Sequence, residues 1–253
     1  MITALTRSPS ASLGDCELTF LDRQTIDIER ARAQHAAYRA ALAAAGAHVV
    51  LLPSLDELPD SVFVEDTAIV LDPFAIVSPM GAVSRRRESA PMAAVLKRYR
   101  AVAALTEPAT LDGGDVARVG RTLYVGQTAR TNSAAVDQLN ALIGPAGYRA
   151  VSVLVTGCLH LKSAVTSIGG SRVLLNPEWV DPETFEGATV VTVDPDEPFG
   201  ANALPIGDVV IVPASAPKTR ERLRCAGLTP VAVDISEFEK AEAAVTCLSI
   251  LIT

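Results

Sequence analysis

The sequence predicts an α/β fold, a five-bladed α/β propeller built from pseudo-fivefold ββαβ repeats. Three observations carry this reading. Pairs of short apolar strands, each pair followed by a helix and a further strand, return at intervals of roughly 40 to 50 residues. Glycine-bearing turns, among them Gly120-Arg121 and Gly169-Gly170, separate the paired strands. After four such sets, strands remain at both chain ends to be joined into a fifth, and a ring closed in this way has no free sheet edge.

The first set pairs residues 67–71 with 75–78, continues in a helix near 90–100 and ends in a strand at 101–105. The second pairs 116–119 with 123–125, then runs a helix at 133–143 and a strand at 150–155. The third pairs 163–168 with 173–175, passes a short segment near 182–185 and closes at 189–193. The fourth pairs 203–204 with 209–212 around Gly207, followed by a helix near 218–225 and a strand at 230–233. For the fifth, the C-terminal strand 245–252 joins the N-terminal strand 2–6, then a helix at 28–45 and a strand at 48–52. In that helix Ile28, Ala31, His35, Tyr38, Leu42 and Ala45 recur at three- and four-residue steps, and Gly46 stands where a C-terminal cap belongs.

The chain has 253 residues, 49% of them hydrophobic and 20% charged, which suits one soluble domain over 1–253. A formal net charge of −7 argues against a nucleic-acid partner, which needs a basic footprint. No apolar run is long enough to span a bilayer, and the N-terminus lacks a basic start followed by an apolar stretch. No membrane association and a cytoplasmic location are therefore expected. The four cysteines, Cys16, Cys158, Cys225 and Cys247, are widely spaced without a CxxC pair, so free thiols are expected and a structural metal site is not.

Three histidines limit the choice of a proton-transfer group near neutral pH. His35 belongs to an apolar helix stripe and reads as packing. His48 opens a strand after a helix cap and reads as structural. His160, in Gly157-Cys158-Leu159-His160-Leu161-Lys162-Ser163, enters a hairpin among polar neighbours, where a catalytic group and a satisfied buried histidine are both consistent with the spacing. Cys225 reads as helix packing. Cys247 lies in a predicted strand, where a structural core thiol and a nucleophile remain open alternatives. Asp60, Glu65 and Asp66 crowd the approach to one apolar strand, and Asp112-Gly113-Gly114-Asp115 precedes another. Turn chemistry accounts for such residues. Convergence at equivalent blade entries would instead form an acidic cage for a cation.

Five segments together resemble a known family: Phe-Val-Glu-Asp at 63–66, Leu-Asp-Gly-Gly-Asp at 111–115, Ala-Arg-Thr-Asn at 129–132, Leu-His-Leu-Lys-Ser at 159–163 and Thr-Cys-Leu-Ser at 246–249. In this order, across nearly the whole chain, they resemble dimethylarginine dimethylaminohydrolases, which are pentein propellers. The resemblance implies hydrolysis of Nω-methylated arginines, asymmetric dimethylarginine and monomethylarginine, to citrulline and an alkylamine without cofactor or metal. It implies that Cys247 attacks the guanidinium carbon to give a covalent thiouronium, that His160 protonates the leaving amine and activates water, and that Asp112 orients the imidazole and holds a guanidinium nitrogen. Asp66 would clamp the other nitrogen and Glu65 would belong to the same set of contacts. Arg85 and Arg130 would hold the substrate carboxylate, Asp60 and the Leu18 backbone its amino group, and Ala241 would contact it through its backbone. Gly200, Ala241, Glu242 and Cys158 depart from the pattern or have no role in it.

The resemblance leaves room for other guanidino chemistry through the same intermediate, in a deiminase or an amidinotransferase. Relatives of those kinds are longer, whereas little of this chain is left over after five repeats. A propeller that only binds an arginine-like ligand is a further alternative. The expected partner is a small guanidino compound, and a homodimer is compatible with the sequence.

Overall fold

The computed structural model describes residues Met1–Thr253. Five three-stranded sheets form, each with one antiparallel and one parallel pairing, as a ββαβ unit requires. In chain order the blades hold Ala68–Val70, Phe74–Val77 and Ala101–Ala104; then Val116–Val119, Thr122–Gln127 and Arg149–Leu154; then Val165–Ser167, Arg172–Leu175 and Thr189–Thr192; then Leu204–Ile206, Val209–Pro213 and Thr229–Val233. The last blade joins the two ends of the chain. Ile250–Ile252 runs antiparallel to Thr3–Arg7, which runs parallel to His48–Leu52. The five-bladed architecture is as the repeats predict, and around the axis the first strand Val165–Ser167 touches both Val116–Val119 and Leu204–Ile206, while Ile250–Ile252 touches Ala68–Val70.

Helices Ile28–Ala44, Ser89–Leu96, Ser133–Ile143 and Pro217–Cys225 cross over four of the blades. Each bridges the parallel pair in its blade, because parallel strands cannot be joined by a tight turn. The first starts at Asp27, whose carboxylate accepts the Arg30 N–H at 3.0 Å, and ends before Gly46, at φ 94°. It buries Ala31, His35, Tyr38 and Leu42, and full burial of a side chain such as Leu42 contributes about 1.5–3 kcal/mol. Tyr38 also shares a 2.7 Å hydrogen bond with the Ser249 hydroxyl, which ties the helix to the segment carrying Cys247. The third blade has only the short turn Pro182–Thr184 in the helix position.

Several boundaries differ from the sequence expectation. Residues 245–249 are not strand: Thr246–Leu248 forms a 3-10 turn, so Cys247 sits at a strand entry rather than inside a strand. Leu161–Ala164 is likewise a helical turn ahead of Val165–Ser167. Both belong to one pattern. Val64–Thr67, Gly113–Asp115, Leu161–Ala164, Pro198–Ala201 and Thr246–Leu248 are short helical turns, each leading into the first strand of a blade. Side-chain bonds between these turns take precedence over extending the strands. Cys225 is exposed rather than packed, because the helix buries Thr219 and Leu223 on its other face.

Candidate active site

Five equivalent turns at one end of the ring place residues distant in sequence side by side. The turn Val64–Thr67 packs against both Gly113–Asp115 and Thr246–Leu248. Close approach is why the glycines are needed. A Cβ on Gly113 would stand 2.1 Å from the Glu65 carbonyl oxygen, and one on Gly114 would stand 2.7 Å from both Asp66 Oδ1 and His160 Nδ1. Neither glycine has a positive φ, so crowding rather than turn conformation selects them.

His160 precedes its turn and is buried between acids. Its Nε2 lies 3.1 Å from Asp112 Oδ2, and its Nδ1 lies 3.8 Å from Asp66 Oδ1. Burial alone would lower the imidazole pKa, but the charges of Asp66 and Asp115 and the bond and charge of Asp112 outweigh it and raise the pKa to about 9. The ring is therefore cationic at neutral pH. Asp112 is itself held by the Gly81 N–H, donated at 2.9 Å to Oδ1. Asp115 accepts hydrogen bonds from Thr128, Thr131 and the Leu161 N–H, which fixes the turn after His160.

Cys247 is half-buried, and its sulfur accepts the Ala244 N–H at 3.5 Å. Burial, then the negative charges of Glu65 and Asp66, push the thiol well above its ordinary pKa. In the resting chain it is a neutral thiol that shares a cavity with the imidazolium.

The structure brings seven of the ten predicted site residues to one cavity: Cys247, His160, Asp66, Asp60, Arg85, Arg130 and Ala241 line it together with Phe63 and Glu242. Three do not line it. Asp112 stands behind His160, fully buried, with its oxygens on the imidazole and the Gly81 N–H, so it orients the ring but is not placed to hold a guanidinium nitrogen as the resemblance implies. Glu65 faces the opposite mouth of the axis, where its carboxylate takes Lys162 Nζ at 2.6 Å and the Thr246 hydroxyl at 2.5 Å. Those two bonds use its oxygens, so Glu65 supports the Cys247 turn from below. Leu18 is half-buried at the edge of the core while its neighbour Glu17 reaches the cavity.

The two arginines differ. Arg85 is buried among acids, with Asp66 Oδ2 at 2.8 Å, Glu88 on Nε and Nη2 at 3.2 and 3.0 Å, and the Asp60 and Phe63 carbonyls on Nη2. Its donors are largely taken by the protein. Arg130 Nη1 is buried without a hydrogen-bond partner, 3.7 Å from Asp112 Oδ2, while Nη2 donates to the Thr19 hydroxyl at 3.2 Å.

Sequence reasoning missed Glu88, Lys162, Thr246 and Asn202. Glu88 stands at i+3 from Arg85, a spacing that could have revealed the pair. Asn202 brackets Thr246 with two 3.0 Å bonds, one to its hydroxyl and one from its N–H, and no local pattern in the sequence links these residues.

The acids around the cavity outnumber the cations. Such a site attracts a positively charged ligand, and planar donors suit paired carboxylates. A five-bladed α/β propeller with a cysteine, a histidine and buried acids at one end of its axis defines the class: a pentein with a guanidine-type site.

Comparison with known proteins narrows this. Residues 19–248 match the family model described as N,N dimethylarginine dimethylhydrolase, eukaryotic. The chain is 43% identical to an N(G),N(G)-dimethylarginine dimethylaminohydrolase of Streptomyces coelicolor, over 98% of this chain and 95% of that one. It is 32% identical to the Pseudomonas aeruginosa protein of the same name, over 97% of each chain. A solved structure of the Pseudomonas aeruginosa enzyme, a cysteine-to-serine variant complexed with citrulline, superposes with a TM-score of 0.95 at 31% identity, covering 100% of both chains. The N-terminal domain of the cyanobacterial arginine dihydrolase ArgZ shares the fold, with a TM-score of 0.90 at 20% identity and coverage of 100% of this chain and 98% of that domain. The chain belongs to the dimethylarginine dimethylaminohydrolase family.

Proposed function

We propose that the chain hydrolyses Nω-methylated arginines to citrulline and dimethylamine or methylamine, with residues 1–253 acting as one catalytic unit. The observation that carries this reading is that Cys247 and His160 open onto the same cavity as Asp60 and Asp66. Cys247 is the nucleophile, His160 the acid and base, and Asp112 the group that orients the imidazole.

A guanidinium entering among the acids brings positive charge to the thiol and lowers its pKa, so the proton leaves to solvent. The thiolate attacks the guanidinium carbon and forms a C–S bond. The C–N bond to the methylated nitrogen then breaks as His160 gives that nitrogen its proton, leaving a thiouronium on Cys247. Neutral His160 takes a proton from water, the hydroxide adds to the same carbon, and the C–S bond breaks as the new hydroxyl's proton passes to the departing sulfur, which releases citrulline and restores the thiol. Asp66 meets a guanidinium nitrogen. At the other end of the substrate, the free Nη1 of Arg130 meets the carboxylate and Asp60 the ammonium, with the Leu18 backbone and Ala241 alongside. Arg85 orders Asp60 and Asp66, and contributes to the carboxylate only by exchanging one of its present bonds.

No helix is long and apolar enough to cross a membrane. A cytoplasmic location and a homodimer remain part of the proposal.

The test is a panel of asymmetric dimethylarginine, monomethylarginine, arginine and agmatine, assayed for dimethylamine, methylamine or ammonia. The proposal predicts the highest kcat/KM for the methylated arginines. Faster ammonia release from arginine would identify a deiminase, and binding without any turnover would identify a silent propeller.

A further inference from the structure

We propose that Glu242 is a positioning residue: it straps residues 17–21 over the site and so sets how tightly the amino-acid end of the substrate is held. Glu242 is the single non-glycine residue with a positive φ, 58°. A side chain is disfavoured in that region, and such strain persists only where the surroundings impose it. Here the backbone turn aims the carboxylate at the N-terminal segment. Its oxygens accept three successive backbone N–H groups, from Thr19 at 3.0 Å, Phe20 at 2.5 Å and Leu21 at 2.6 Å. Successive amides converging on one anion form a strong, directional clamp.

The other fastenings of this strap are groups of the site itself. Asp60 accepts the Glu17 N–H at 3.1 Å, and Arg130 Nη2 donates to the Thr19 hydroxyl at 3.2 Å. Ser84, beside Arg85, donates to the Glu17 carboxylate. Leu18 is thus suspended between the Asp60 and Glu242 anchors, and its backbone carbonyl accepts no hydrogen bond from the chain. An acceptor held in this way at the cavity edge suits a substrate ammonium.

The strap also decides access. With it closed, the site cavity measures about 20 Å³, room for about one water. A neighbouring cavity of about 340 Å³ is lined by Phe20 and Leu21 of the strap. Leu159, Glu242 and Ala243 line both cavities, so they form the partition between them. Parting the Glu242 clamp joins the two spaces and admits a substrate of arginine size; closing it restores the contacts at Leu18.

The test compares Glu242→Gly with Glu242→Gln. Glycine accepts the positive φ, so it removes the carboxylate without straining the turn. Glutamine keeps an acceptor oxygen. The first readout is amide hydrogen exchange of the resting chain: residues 19–21 exchange faster in Glu242→Gly than in the parent, with the strand amides unchanged. The second is kinetic, on whichever guanidine the substrate panel identifies. KM rises on the order of tenfold in Glu242→Gly, kcat changes by less than KM does, and Glu242→Gln falls between. Unchanged exchange at 19–21 overturns the clamp. Faster exchange with an unmoved KM overturns its role in substrate binding. Only the kinetic readout rests on the proposed function; exchange in the resting chain tests the clamp even if methylated arginines prove not to be substrates.

Discussion

His160 Nε2 lies 3.1 Å from Asp112 Oδ2, and the aspartate is fully buried. The pair fixes the direction of the ring, and Asp112 adds to the charges of Asp66 and Asp115 that keep it positive. In Asp112→Asn the amide oxygen can keep the Gly81 bond while the negative charge is lost. Turnover should fall by about 100-fold or more, a general acid–base contribution. The imidazole pKa should also drop from about 9, because burial then meets less opposition. A pH titration of His160 by NMR checks the shift, and an unchanged value removes Asp112 from this role.

The imidazolium gives the reaction an alkaline limit. His160 is protonated below about 9 and is the acid that the leaving amine needs, so once bound substrate has deprotonated the thiol, kcat should decline on the alkaline side as the imidazolium loses its proton. Stability runs the same way. A histidine whose folded pKa is raised contributes stability that is complete below its unfolded pKa and is lost as pH rises through the folded one. A kcat profile still rising at pH 10 contradicts the assignment.

Cys247, held as a thiol by burial and by Glu65 and Asp66, should react slowly with a neutral alkylating agent at pH 7 and faster as pH increases. Mass spectrometry of the labelled peptide measures this. Rapid labelling at pH 6 would show a resting thiolate and contradict the account.

The glycines of the 111–115 segment show how far sequence alone could be read. Their presence beside acids was legible, and so was the blade repeat, because apolar periodicity is a local property. The reason for the glycines was not, since it lies in the 2.7 Å that would separate a Gly114 Cβ from His160 Nδ1, 46 residues away in sequence. The Glu65–Lys162 and Asn202–Thr246 pairs were hidden for the same reason: their partners come from different blades. Assigning Cys247 to a strand followed its apolar neighbours, whereas the bonds that Thr246 donates to Asn202 and Glu65 draw that segment into a turn.

Gly114→Ala follows from that distance. The added methyl must displace the imidazole or the Asp66 carboxylate, and a shift of about 1 Å in catalytic groups can cost about 100-fold in rate. We expect that loss in kcat with a cooperative thermal transition retained; near-normal kcat would show that the turn has slack.

His35 offers a test away from the site. It is buried against Tyr38 and Phe238, its Nε2 has no partner, and burial and then Arg39 lower its pKa to about 3. A histidine depressed in the folded state contributes stability that is present above its unfolded pKa and is lost as pH falls toward the folded value. From pH 8 to pH 5 that loss is roughly 2 kcal/mol. Urea unfolding of the parent and of His35→Leu at both pH values should show the loss in the parent and a smaller one in the variant. Equal losses would remove His35 as the source.

The central claim is that the sulfur of Cys247 forms the covalent bond to the guanidinium carbon. The most direct measurement is citrulline release from asymmetric dimethylarginine by Cys247→Ser, a change that removes the thiol and little volume. The account predicts no release above the uncatalysed rate, with an unchanged melting temperature. Release at the parent's rate by the folded variant would contradict it.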